Sequence, residues 1–98
     1  MDRLILRAEA GSWPVWVEGE GYAIDPRSLE LPEDLLAALE AWAARLTAAD
    51  GWFRDEALEH AFDREGYELW RRTAEALRGR VVIGWAASFS EARTEPRT

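Results

Sequence analysis

The spacing of apolar residues changes twice along this chain, and the order of those changes constrains the fold more than any other feature. Leu4-Ile5-Leu6 is a short apolar run between charges and predicts a first strand running toward Ala8. Gly11-Ser12 signals a turn. Trp13, Val15 and Val17 then alternate with Pro14, Trp16 and Glu18, the period-two pattern of a half-buried strand. Pro14 has no N–H for a ladder bond, which puts it at the strand's start or on an edge. Glu18-Gly19-Glu20-Gly21 should break or bulge the strand. The two strands are close enough to form an antiparallel hairpin, with a loop around Glu9–Ser12.

From Pro32 the period lengthens. Asp25-Pro26 first offers a turn or one-turn helix start, with Asp25 as cap. Leu35, Leu39, Trp42 and Leu46 then recur at steps of four, three and four, which builds one face of a helix; Leu36 and Ala43 widen it. Glu33 and Asp34 sit in the first turn, where the helix dipole favours carboxylates, and Asp50-Gly51 is a stop. Asp55 can cap a second helix, on which Leu58, Phe62, Leu69, Thr73 and Leu77 lie near one face with Trp70 beside it. Gly66 falls on that stripe, where it costs about 1 kcal/mol relative to Ala. Either the helix breaks there or another backbone packs closely against it. Gly79 ends the helix.

The period shortens again at Val81-Val82-Ile83-Gly84-Trp85-Ala86, a strand apolar on both faces. The sequence therefore predicts an α+β domain over residues 1–86, in ββααβ order, with a small three-stranded sheet and both helices packed on one face. If the last strand joins beside the first, that pair is parallel; if it joins beside the second, the sheet is antiparallel throughout. The first placement brings the most apolar strands together and is preferred. Residues 87–98 are small and polar, with Pro96, and read as a loosely held tail.

Composition bounds the function. The 98 residues hold 12 cations, all arginine, against 19 acids, for a net charge of −7. Without cysteine there is no disulfide framework, thiol catalysis or Cys-ligated zinc. The acidic balance argues against a nucleic-acid partner. No apolar run approaches the roughly 20 residues of a membrane span, and Met1–Arg7 lacks the apolar stretch of a signal peptide, so no membrane partner is expected and the reading is cytoplasmic. The charge is also local. Residues 9–40 carry eight acids (Glu9, Glu18, Glu20, Asp25, Glu30, Glu33, Asp34 and Glu40) and one base, Arg27, while the rest of the chain balances eleven against eleven. A patch of one sign can steer a basic partner; the plainer reading is solubility.

No constellation demands catalysis. The only histidine, His60, would share a helical face with Glu56 and Asp63, a sparse metal set whose plainer reading is a solvated face. The serines have no base beside them, and the glycines match neither a phosphate loop nor a dinucleotide fingerprint. No cofactor is expected. Arg71, Arg72, Arg78 and Arg80 suit the end of the second helix, with Glu68–Arg72 and Arg71–Glu75 as pairs four apart. Six tryptophans are many for this length. Trp42 and Trp85 read as core, and Trp52-Phe53 as a plug at the end of the core. Trp13 and Trp16 should point to opposite faces of their strand, leaving one for solvent or a partner, where tryptophan is enriched at binding hot spots.

The chain resembles a group of small uncharacterised proteins of about 100 residues common in actinobacteria. The likeness rests on Trp13-Pro14-Val15-Trp16, Gly21-Tyr22, Asp25-Pro26, Leu29, Leu31 and the helix with Leu35, Leu39 and Trp42, then on Phe62, Gly66, Leu69 and Leu77. It departs at Leu31, where the group often has a serine cap, and in the loop of residues 50–60. The group carries no catalytic residue to transfer, but small acidic proteins of this kind resemble immunity proteins of bacterial toxin systems. The expectation is a non-catalytic interaction module, immunity- or antitoxin-like. Its partner would be a basic protein or a second copy, met through Trp13, Trp16, Glu18, Glu20, Asp25 and Glu30. The alternative is a small metal- or ligand-binding protein or enzyme using the face around His60.

Overall fold

The computed structural model describes residues 3–89. Strands β1 (Leu4–Leu6), β2 (Val15–Val17) and β3 (Ala23–Ile24) come first. A 3-10 turn (Pro26–Leu29) leads to α1 (Glu33–Ala48), α2 (Glu56–Ala76) and β4 (Ile83–Trp85). The sheet order is β3-β2-β1-β4. β1 runs antiparallel to β2 and parallel to β4, so the last strand does lie beside the first.

The sheet has four strands where three were expected. Glu18-Gly19-Glu20-Gly21 does not end the sheet. It turns the chain, with φ of 83° at Gly19 and 79° at Gly21, and β3 returns along β2. Glycine meets no steric penalty at these angles, which other residues rarely adopt.

The register shows why one face is the core. Leu4 lies opposite Val17 and Ile83, and Leu6 opposite Val15 and Trp85. Leu4, Leu6, Val15, Val17 and Ile83 join one buried cluster with Leu35, Leu39, Trp42 and Leu46 of α1 and Phe62 and Leu69 of α2. The alternate positions Ile5, Trp16, Ala23 and Gly84 form a row across the other face and are only half buried. α1 has no side-chain cap, since its cap position is Pro32, and it ends where Asp50 (φ 57°) and Gly51 (φ 91°) reverse the chain. Asp55 caps α2, its carboxylate accepting from the Ala57 N–H at 2.9 Å.

The helix does not break at Gly66; α2 runs through it. What packs there is a pair of side chains, not another backbone. A Cβ at Gly66 would lie 2.8 Å from Trp85 Cη2 and 2.9 Å from Trp42 Cε2. Trp42 is fully buried, stacks on Phe62 at 4.7 Å and donates its indole N–H to the Phe62 carbonyl at 2.9 Å. The large ring thus needs both a small residue opposite and an acceptor for its N–H.

Other expectations on α2 are corrected. Leu58 is 54% exposed, whereas Glu59 and Asp63 are buried. Arg71 pairs with Glu68 three residues back, Arg72 reaches Asp34 of α1 at 3.2 Å, and Arg78 pairs with Glu75. After β4, Ser88 and Phe89 pack on the domain. Their N–H groups donate to the two Asp63 carboxylate oxygens at 2.9 Å each, and the Phe89 ring lies 5.8 Å from Phe53 and 6.1 Å from Phe62. Residues 90–98 of the expected tail lie outside the described residues.

Candidate interaction surface

The residues singled out from the sequence fall on three parts of the surface. Trp16 belongs to the half-buried row on the outer sheet face. Its indole N–H donates to the Arg7 carbonyl at 2.9 Å, and the Arg7 guanidinium lies over its ring at 4.5 Å. That stacking covers part of the ring and adds a cation–π attraction. Trp13 precedes β2, so the strand's alternation does not govern it. It is 47% exposed and lines a cleft of about 710 Å³ with Pro14, Ala23, Ala43, Ala44 and the Arg27–Glu40 pair. Glu18 and Glu20 sit on the β2–β3 turn, Asp25 at the other end of β3, and Glu30 after the 3-10 turn, with a left-handed backbone (φ 55°).

The fold also redistributes the charge. Three arginines from outside residues 9–40 come back to it: Arg3 to Glu18 at 2.9 Å, Arg7 to Glu9 at 3.1 Å and Arg72 to Asp34. Arg27 serves both Asp25 (3.3 Å) and Glu40 (3.5 Å). Among the described residues, Glu20, Glu30 and Glu33 have no ion-pair partner. Such exposed pairs are worth about 0–1 kcal/mol each, so they stabilise the fold little. Their larger effect is to narrow the acidic surface to the turn and to the approach to α1.

The face around His60 is differently built. Asp63 is buried and spends its carboxylate on the Ser88 and Phe89 N–H groups, while Glu56 is exposed. Among the described residues, no group of three or more His, Cys, Asp or Glu side chains is placed to hold a metal ion. No helix among them is long and apolar enough to cross a membrane.

Two functional-looking features escaped the sequence. β3 is two residues long and shows no periodicity of its own. Asp63 looked like part of a solvated face. The available signal was position: Glu59, Asp63, Gly66 and Trp70 are spaced four, three and four apart, a stripe beside the apolar one.

No curated protein matches the chain. Residues 2–88 match the family described as Serratia CdiI immunity protein-like, which bears out the immunity-like part of the resemblance read from the sequence. That match spans both helices and all four strands, and the protein belongs to this immunity protein-like family.

Proposed function

We propose that this protein is a non-catalytic immunity protein that acts in the cytoplasm by binding a basic toxin domain stoichiometrically. Its family membership over residues 2–88 carries the reading. Two features support it. Glu20, Glu30 and Glu33, which have no ion-pair partner among the described residues, leave a negative surface to complement a positive one. The exposed Trp13 beside its cleft offers an aromatic anchor of the kind enriched at binding hot spots.

Stopped-flow association with its cognate toxin domain tests the electrostatic part. Reversing Glu18, Glu20 and Glu30 to Arg should slow association and weaken its dependence on salt, because steering acts on the encounter rate. Unchanged rates at every ionic strength would sink the acidic-surface mechanism.

A further inference from the structure

The two outer edges of the sheet are finished differently. At β4, Trp70 of α2 donates its indole N–H to the Ile83 carbonyl at 2.8 Å, and Tyr67 stands edge-on to Trp85 at 6.1 Å. That edge is capped by side chains of the protein's own helix. Among the described residues β3 has no equivalent cover. Val17 N–H donates to the Tyr22 carbonyl at 3.0 Å, and the register pairs Trp16 with Ala23 and Val15 with Ile24. Antiparallel bonds alternate, so Tyr22 and Ile24 address β2 while Ala23 turns its N–H and C=O outward. Among the described residues no strand lies beyond β3, so the alternation leaves the main-chain groups of Ala23 facing an open side.

An open edge is a template for another strand. The chemistry beside this one is acidic in balance, four carboxylates against two guanidinium groups. Glu18 and Glu20 lie before it and Asp25 after it, with Glu40 of α1 nearby, and the local cations are Arg3, held by Glu18, and Arg27, shared between Asp25 and Glu40. The Trp13 cleft adjoins the edge through Ala23 and has Ala43 and Ala44 of α1 in its lining. A second copy paired here would bring carboxylates against carboxylates, which is unfavourable across strands.

We propose that the β3 edge is the docking site for an extended basic segment of the toxin. The segment pairs its main chain with Ala23, sets Lys or Arg side chains against Glu18, Glu20 and Asp25, and places an apolar side chain against Trp13. This proposal rests on the immunity reading and adds where and how the partner binds, a mode in which main-chain bonds give affinity and side chains give specificity.

Amide hydrogen exchange of the protein, alone and with its cognate toxin domain, is the test. Binding should protect the amides of Ala23 and its outward-facing neighbours Gly21 and Asp25. Ala23→Pro removes an N–H that the bond to β2 does not use. It should weaken binding by about threefold to tenfold, the worth of one hydrogen bond. If that variant is poorly folded, the Glu18→Arg, Glu20→Arg double variant, altered only on an exposed turn, should weaken binding and flatten its salt dependence. A complex in which these amides exchange as in the free protein overturns the docking mode and leaves the immunity reading standing. Protection of the same amides in a dimer of this chain without toxin also overturns it. If the toxin domain is neither bound nor inhibited, the immunity reading fails and the docking mode with it.

Discussion

Gly66 carries a packing constraint out of proportion to its size. Its missing Cβ is the space in which the Trp42 and Trp85 rings meet α2. Gly66→Ala gains about 1 kcal/mol of helix propensity. It loses about 1–3 kcal/mol to overpacking, and the shortfall grows because Trp42 is fully buried and cannot swing out. The urea midpoint should therefore fall; an unchanged or higher midpoint would show that the rings yield. Asp63 acts in the opposite way, through bonds that are made. Asp63→Asn puts a neutral amide where a carboxylate accepts two successive N–H groups, which should cost about 1.5–3 kcal/mol. Faster amide exchange at Ser88 and Phe89 would check that the loss is local. The sequence marked Gly66 as a conflict but could not say which neighbour resolved it, because Trp42 and Trp85 are far from it along the chain. Asp63 was illegible for a related reason, since its partners are main-chain groups, which have no residue-type signature.

The elements were legible where an apolar period or run marked them. α1 declared itself through the spacing of Leu35, Leu39, Trp42 and Leu46, all of which are buried. α2 was legible as a helix, but its buried face was read one position out at the N-terminal end. There the first turn carries Leu58 into solvent, and Glu59 faces inward. Paired truncations measure this directly. Leu39→Ala, in the core, should cost about 2–5 kcal/mol, and Leu58→Ala about 0.5 kcal/mol or less. Comparable losses for the two would contradict the assigned face. β3 was missed because two residues carry no period and because Gly19 and Gly21 look like an ending. The hairpin followed from its turn signal, alternation and short separation, and the parallel β1–β4 pair from apolar content. The outer-face row of Ile5, Trp16, Ala23 and Gly84 followed from alternation once the register was known.

At the scale of the molecule, the net charge of −7 confined to residues 9–40 becomes a narrower feature. Arg3, Arg7 and Arg72 come from elsewhere in the chain and neutralise part of it, which no count along the sequence could anticipate. What remains negative is the β2–β3 turn and the approach to α1, beside an open strand edge and an exposed Trp13. Six candidate contact residues were named from the sequence; the fold gathers Trp13, Glu18, Glu20 and Asp25 around β3 and leaves Trp16 on the outer sheet face and Glu30 beyond the 3-10 turn. The account requires inhibition by occupancy and no turnover. Titrating the proposed cognate toxin domain with increasing amounts of the purified chain, while following toxin activity, tests that most directly. Activity should fall linearly and vanish at one equivalent. Full loss at a small fraction of an equivalent would mean catalysis, and activity undiminished at excess would mean that this protein is not the toxin's inhibitor.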